Sequence, residues 1–367
     1  MSTPRPSAGL LYGRDIHHLD HLGPLCSLLH IPLIVTEEEI ASSARRYYPD
    51  LDVIVADYLT IGEFVVSHFD VIFYCIPRDL FDEVFFFAQK FLQKKVHTIW
   101  CPHGNSDKGH SIAFMEALRK EEIALVYGKQ MIDFFRMKGV LDHLKSHVIT
   151  GNFRHAFYQG HKDFYDQLAQ QEITRRLPQA KRTILYAPTW QDYERSTSFY
   201  DAMPHLATTL PPDTNLIVKP HPNLLKDDLA LELIEQHSSH PNIHFIRDFP
   251  PIFPLLNIAD IYLGDMSSIG YDFLIFDRPL FFLNQREKDA TQDLGLYLFR
   301  CGVEIKKEDY PQIYQLMERF LQFELRSYSE IRKEVYHYAF GHSTLDQLQR
   351  EIHQAMTLFP EKDLSFF

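Results

Sequence analysis

From residue 9 to about residue 285, short runs of β-branched and aromatic residues alternate with stretches whose apolar positions recur every three to four residues. In the first half, Gly9–Tyr12, Leu33–Thr36, Val53–Ala56, Val71–Ile76, His97–Cys101, Ala124–Tyr127 and His147–Thr150 read as strands. In the second half, Thr183–Ala187, Asn215–Lys219, Ile243–Ile246, Ile261–Leu263 and Leu280–Leu283 do the same. The intervening pattern predicts helices, among them Asp79–Gln93, Ser111–Lys120, Gln130–Lys138, Leu224–His237, Ile252–Asn257 and Ile269–Phe276. Such alternation is the mark of parallel α/β layers, because each crossover has to carry a helix back across the sheet. After Leu283 the pattern turns mostly helical, over Asp309–Phe323, Ser329–Tyr338 and Thr344–Leu358. Gly341-His-Ser343 supplies a break and an N-cap before the last of these.

A polar helical stretch, Phe153–Pro178, separates the two series and runs into Arg175-Arg-Leu-Pro178-Gln-Ala-Lys-Arg182. A length of 367 residues exceeds what one core usually fills. We therefore expect an α/β fold of two doubly wound, Rossmann-like domains, with C-terminal helices. Residues 1–180 form the first domain and 181–340 the second, and a helix in 341–367 returns to the first. Ligands of such sheets collect beyond the carboxyl ends of the strands, so the economical arrangement has the two sheets facing across a cleft.

Composition narrows the function. With 37 basic against 49 acidic residues the net charge is -12, which disfavours a nucleic-acid binder. The four cysteines are far apart, lack a CxxC pair and sit in apolar runs, as in reduced proteins of the cytosol. The start Met1-Ser-Thr-Pro-Arg-Pro-Ser does not read as a signal peptide, and no window reaches the roughly 18 apolar residues of a membrane span. A soluble, cytoplasmic protein is the expectation, with peripheral contact at the inner face of the plasma membrane left open. The stretch Leu80–Leu92 is apolar nearly all round as a helix. Burial between strands and a neighbouring helix accounts for that, and a membrane-surface or lipid-acceptor face is the alternative.

Chemistry concentrates where strands end. The run Ala259–Leu274 delivers Asp265-Met-Ser267-Ser268 from a strand to a helix start, where orphan amides and two hydroxyls suit a phosphate; plain helix capping is the competing reading. His221 stands between Pro220 and Pro222 directly after a strand, beside Lys219, so its imidazole is expected to project outward. His103 follows the strand ending at Cys101 and precedes Gly104, which allows a ligand close to the backbone; Lys108 adds a cation. An imidazole with an ordinary pKa of about 6.5 is suited to take a proton from an alcohol near neutral pH, whereas a surface-turn histidine is the bland reading. Tyr186-Ala-Pro-Thr189-Trp190 follows a further strand.

Other signals are weaker. His17, His18 and His21 could put two imidazoles on one helical face, but no carboxylate or thiol completes a zinc set. Asp50-Leu-Asp52 has an Asp-x-Asp spacing but leads straight into a strand. No G-x-G-x-x-G follows a strand and neither a P-loop nor a G-x-S-x-G elbow occurs, so nicotinamide cofactors and P-loop chemistry are disfavoured.

Taken in order, the motifs resemble the CDP-glycerol glycerophosphotransferase family, enzymes that prime or build teichoic-acid-like polymers on a GT-B scaffold. The matching stretches are His103-Gly104, Tyr186–Trp190, Lys219–Pro222 and Asp265–Ser268, continuing through Asp272-Phe273 and Asp277-Arg-Pro279. Two positions depart from the family pattern: Asn105-Ser-Asp107 replaces Thr-Pro-Leu after His-Gly, and Met266 replaces a tyrosine. The resemblance implies His103 as catalytic base, and His221, Ser267 and Ser268 on the donor pyrophosphate. It also implies Asp265 ordering the loop and Thr189 lining the cleft. Lys219 or Arg247 would add positive charge to the diphosphate. The expected substrates are CDP-glycerol or a related nucleotide-activated donor and a lipid-linked or glycan acceptor, with no obligatory metal and no other cofactor. The rival readings are a nucleotide-sugar glycosyltransferase or epimerase of the same fold and a non-catalytic nucleotide-binding protein.

Overall fold

Every strand pairing is parallel in the computed structural model, which describes residues 5–108, 115–192 and 195–360. The described residues form two compact units. The first holds the chain up to His103, Met115–Phe157 and the residues from Ala339 onward. The second holds Gly104–Lys108 and the described part of Tyr158–Tyr338.

The sheet of the first unit contains β1 (Ser7–Leu11), β2 (Leu33–Val35), β3 (Val53–Val55), β4 (Val71–Tyr74), β5 (His97–Trp100), β6 (Ile123–Val126) and β7 (Ser146–Ile149), ordered β3-β2-β1-β4-β5-β6-β7. Gly9 of β1 lies opposite Leu33 on one side and Phe73 on the other. Every residue of β1, β2, β4, β5 and β6 is buried, as apolar runs covered on both faces must be. Its helices are α1 (Leu19–Leu29), α2 (Glu38–Tyr47), α3 (Ile61–His68), α4 (Arg78–Leu92), α5 (Lys129–Met137) and the start of α6 (Phe153–Gly160).

The second unit carries α7 (Lys162–Glu172), β8 (Arg182–Ala187), α8 (Phe199–Thr208), β9 (Thr214–Val218), α9 (Asp228–His237), β10 (Ile243–Phe245), α10 (Ile252–Ile258), β11 (Ile261–Gly264), α11 (Ser268–Phe273), β12 (Leu280–Asn284) and β13 (Val303–Lys306). The sheet is ordered β10-β9-β8-β11-β12-β13. Its core sets Tyr186, Val218 and Leu263 against Phe199 and Met203 of α8. The long α12 (Ile313–Phe340) follows, and α13 (Leu345–Met356) packs on β7 and α1 of the first unit. Both sheets reverse direction of winding at their first strand, between β1 and β4 and between β8 and β11. Such a switch leaves a gap between outgoing loops, where ligands of doubly wound sheets bind.

The structure departs from the sequence reading in five places. The units change over between Phe157 and Tyr158 rather than near residue 180, because Tyr158 stacks on Phe253 of α10 and Asn257 reaches Asp166 of α7. Strand β13 stands where the pattern predicts no strand: it is short, and only Val303 and Ile305 of its alternating residues are buried. It enters through Gly302, where a Cβ would come within 2.2 Å of the Leu280 carbonyl oxygen. The expected helices over Asp309–Phe323 and Ser329–Tyr338 are one continuous helix, since no Gly or Pro interrupts Ile313–Phe340. Of the helix expected over Ser111–Lys120, Glu116–Lys120 is a 3₁₀ turn, and its first four residues lie outside the described ones.

The fifth departure is α4, which is not buried between layers. Only Phe81 and Phe85 are buried, whereas Phe86, Phe87 and Phe91 are 50%, 78% and 86% exposed. With Glu83 and Lys90 they form the outward i, i+3, i+4, i+7, i+8 stripe of the helix. The opposite side packs on α3, where Gly62 approaches the Val84 carbonyl.

Inside the second unit, Arg332 of α12 is fully buried. It donates to the Cys301 carbonyl (2.9 Å), pairs with buried Glu324 and faces Asp277 at 3.6 Å. Burial pushes its guanidinium down to about 10, against the pull of Asp277 and Cys301. Replacing Glu324 with Ala would strand that cation, and urea unfolding should register a loss of about 3–5 kcal/mol. A loss under about 1 kcal/mol would mean that water reaches the pair.

Candidate functional site

In the second unit the chemistry gathers at the β8/β11 switch. Asp265 follows β11 and has no exposed surface. Its Oδ2 accepts from the Thr189 amide (2.9 Å) and the Ser198 amide (3.1 Å), which ties both ends of the loop after β8 to the end of β11. Ser198 Oγ also lies 2.8 Å from the Tyr186 hydroxyl. No described residue bonds Asp265 Oδ1. Burial raises this carboxyl to about 6, outweighing the hydrogen bonds from Ser198 and Thr189 and the charge of Lys108.

The segment after His103 belongs to this unit and lies on the start of α11. A Cβ on Gly104, whose φ is +145°, would come within 2.7 Å of Ser268 Cβ and Oγ, so a side chain there is excluded. Buried Asp107 accepts from the Tyr271 hydroxyl (2.6 Å) and the Leu298 amide (2.9 Å). Lys108 donates to Thr189 Oγ1 (2.5 Å) and to Asp192 Oδ2 (2.6 Å). Asp192 also accepts from the amide and hydroxyl of Ser196. Thus Lys108 and Thr189 hold the loop together rather than presenting free polar ends. Asp107 and Tyr271 are site-building residues that motif reading missed; an aspartate in the loop beyond β5 carries no signal of its partner 164 positions away.

Ser267 is the extended N-cap of α11, but its side chain makes no capping bond. The capping alternative is therefore not what the structure shows. Both Ser267 and Ser268 are half-buried, and no described residue is bonded to either hydroxyl. The α-helical part of α11 is six residues long before it tightens into a 3₁₀ turn at Leu274–Phe276, so the dipole of a long helix is not available here. Hydroxyls and first-turn amides remain.

His221 follows β9, two strands from β11. Its Nδ1 accepts from the Asn223 amide (3.1 Å), which assigns the ring proton of the neutral form to Nε2 and makes that nitrogen a donor. The ring lies 6.1 Å from that of Trp190. Lys219 precedes it and donates its amide to the Tyr186 carbonyl. Arg247 is not brought into this group. It follows edge strand β10, three strand spacings or roughly 14 Å from β11. There it lines an open depression of ≈ 540 Å³ with Asp228, Glu232 and Glu235 of α9.

In the first unit, His103 stands beyond β5, next to the β1/β4 switch. The Tyr127 hydroxyl donates to the Pro102 carbonyl (3.2 Å), and His21 Nδ1 lies 2.8 Å from the same hydroxyl. The His103 ring bonds the Cys75 backbone. His17 and His18, which follow β1, bring their rings to 6.0 and 4.8 Å from that of His103, and to 4.4 Å from each other. The His103 ring is open to solvent at its rim, yet protein packed around it lowers its pKa below 6.5; the Cys75 bond and the Asp15 charge oppose this. Among the described residues, no group of three His, Cys, Asp or Glu is arranged to hold a metal ion.

Residues 147–299 match the family model described as CDP-glycerol:poly(glycerophosphate) glycerophosphotransferase. The chain is 30% identical over 144 residues to the teichoic acid glycerol-phosphate primase of Bacillus spizizenii, a stretch covering 38% of this chain and 34% of that protein. Across the curated relatives it matches, the chain spans about a third of their length. Among solved structures, the wall teichoic acid polymerase TagF shares the GT-B fold at a TM-score of 0.65 and 15% identity, covering 96% of this chain and 88% of that one. The Staphylococcus aureus MnaA–UDP complex does so at a TM-score of 0.65 and 13% identity, covering 98% and 99%.

Because the Asp265 carboxyl is raised from 3.8 to about 6, folding is favoured by it fully below about pH 3.8, and that advantage is lost as pH rises through about 6. Asp265→Asn keeps an acceptor for both amides and has no charge to bury. Between pH 3 and pH 8 the wild type should lose about 3 kcal/mol of stability relative to this variant. A pH-independent difference in chemical denaturation would contradict the burial argument.

Proposed function

We propose that this chain, which through residues 147–299 belongs to the CDP-glycerol glycerophosphotransferase family, moves a glycerophosphate or similar polyol-phosphate unit from a CDP-activated donor to an acceptor hydroxyl. The setting would be synthesis of a cell-envelope polymer or glycan, with a lipid-linked or glycan acceptor. The observation that carries the reading is the pair Ser267 and Ser268. These are two half-buried hydroxyls, bonded to no described residue, at the switch point of a sheet whose sequence matches that family.

In this reading the donor diphosphate lies on the two serine hydroxyls and the first amides of α11. His221 donates from Nε2, and Lys219 adds positive charge. The acceptor oxygen attacks the β-phosphorus, its proton passes to His103, and the bond to the departing CMP breaks. Negative charge building on the phosphoryl oxygens is met by donors already oriented before the reaction, which is the main lever in phosphoryl transfer. Such donors suffice without an obligatory metal. Arg247, at the far edge of the sheet, takes no part. The fold alone does not separate this reading from nucleotide-sugar chemistry, since TagF and MnaA share it; the family match favours the CDP-linked donor.

The exposed face of α4 supports peripheral attachment at a membrane surface. Phe87 and Phe91 project outward with Lys90 between them, and Leu59 ahead of α3 is 89% exposed. Among the described residues, no helix is long and apolar enough to cross a membrane. Interfacial helices bind by placing such aromatic faces at the headgroup boundary while lysines reach the phosphates.

Incubation with CDP-glycerol and an acceptor panel should release CMP in the presence of EDTA, and UDP-sugars should yield no UDP. His103→Ala should slow release about a hundredfold with donor binding kept. UDP release would favour a glycosyltransferase or epimerase, and nucleotide binding without turnover would favour a non-catalytic role. Sedimentation with anionic phospholipid vesicles should be lost in the Phe87→Glu, Phe91→Glu double variant; equal sedimentation would dismiss the α4 contact.

A further inference from the structure

Trp190 closes the Tyr186–Trp190 run and has no part in the transfer scheme, although its ring lies beside that of His221. Two neighbouring strands deliver the pair. Tyr186 of β8 stands opposite Val218 of β9, and the Lys219 amide donates to the Tyr186 carbonyl (2.8 Å). The chain after β9 therefore leaves the sheet alongside the loop after β8, which puts Trp190 and His221 within reach of each other. Their ring centroids are 6.1 Å apart and the rings are inclined by 31°, inside the range in which offset aromatic rings attract.

Trp190 is anchored on both sides. The Thr189 amide before it donates to buried Asp265 (2.9 Å), and Lys108 spans the tryptophan by donating to Thr189 Oγ1 (2.5 Å) and Asp192 Oδ2 (2.6 Å). The Trp190 carbonyl accepts from the Asp192 amide (2.9 Å), and the half-buried indole packs against the core of the unit. His221 has its backbone limited by Pro220 and Pro222 and by the Leu224 amide on its carbonyl (2.8 Å). Its ring is held at one atom by the Asn223 amide on Nδ1 (3.1 Å). That bond alone leaves the ring able to roll about the line from Cβ to Nδ1, which swings Nε2 sideways. An aromatic neighbour on an anchored loop limits the roll, and the indole is such a neighbour.

We infer that Trp190 is a positioning residue for His221: the indole backs the imidazole, so that the Nε2–H keeps one direction at the carboxyl edge of the sheet, where the proposed donor diphosphate lies. The inference deepens the proposed transfer and rests on the reading of His221 as a hydrogen-bond donor to that diphosphate. A donor group that is already oriented gives up less conformational freedom when the anion arrives. The bond is made to the bound donor before any transfer step, so loosening the ring weakens donor affinity rather than turnover. Trp190 does this without touching substrate.

The test uses the full chain with Trp190→Leu, Trp190→Phe and His221→Gln. In histidine-labelled protein followed by NMR, the His221 ring signals are those lost in His221→Gln, and Trp190→Leu should move them because the indole ring current is gone. Should the leucine variant fail to fold, Trp190→Phe, a smaller ring that keeps the core filled, reads the same signals. With CDP-glycerol as donor, Trp190→Leu should raise the donor KM for CMP release about fivefold while kcat stays within about twofold. Trp190→Phe should restore most of that affinity. In the His221→Gln background, Trp190→Leu should add nothing further, because the two residues act through one bond. Unmoved His221 signals overturn the inference whatever the activity shows, and so does a KM rise that persists in the His221→Gln background. Moved signals with a donor KM unchanged in His221→Gln leave the ring contact standing and remove His221 from the donor instead.

Discussion

A carboxylate with no exposed surface governs the second unit. Asp265 ends β11, yet both amides it accepts belong to the loop after β8, the neighbouring strand across the switch. Leaving those amides unmet in the interior would cost more than holding a carboxyl above its ordinary range, so the loop goes where the carboxylate is. Once Thr189 and Ser198 are placed, Lys108 finds both the Thr189 hydroxyl and Asp192. The gap over the switch is then framed on one side by the loop and on the other by Ser267 and Ser268.

The segment Gly104–Lys108 is anchored inside the second unit by its own polar groups. It follows the end of β5, the strand of the first unit that leads to His103, and belongs to the second unit. Gly104 lets it lie on Ser268, Asp107 is held by Tyr271 and Leu298, and Lys108 is held by the loop after β8. Asp107, where the resembled pattern carries a leucine, is a polar anchor with two partners. The cation of Lys108 is thereby absorbed into structure by Thr189 and Asp192.

Strand positions were legible because fully buried parallel strands must be continuous apolar runs, and that constraint is local. Edge elements obey it poorly. β13, with only two buried residues, read as part of a helical tail. Likewise the break expected in α12 lay at a polar stretch that is polar because Glu324 meets Arg332 inside the unit. The aromatic helix α4 looked like a core helix by composition, and nothing in its sequence says which of its faces the neighbouring α3 leaves uncovered.

At the site, residue type and position after a strand were enough to single out His103, His221, Ser267 and Ser268, because a group that acts on a ligand in such a fold has to leave the sheet at a carboxyl end. Strand order was not readable, since pairing joins segments far apart in the chain. Only the tertiary structure could set β8 beside β11 and move Arg247 to the outer edge. The same holds for His17 and His18, which with His21 suggested at most a metal set. Their relation to His103 depends on β1 and β5 flanking β4. Sequence therefore determined which chemical groups are delivered to strand ends, through periodicity and burial acting over a few residues. Folding decided which of them meet, through hydrogen bonds and ring contacts between residues that are distant along the chain.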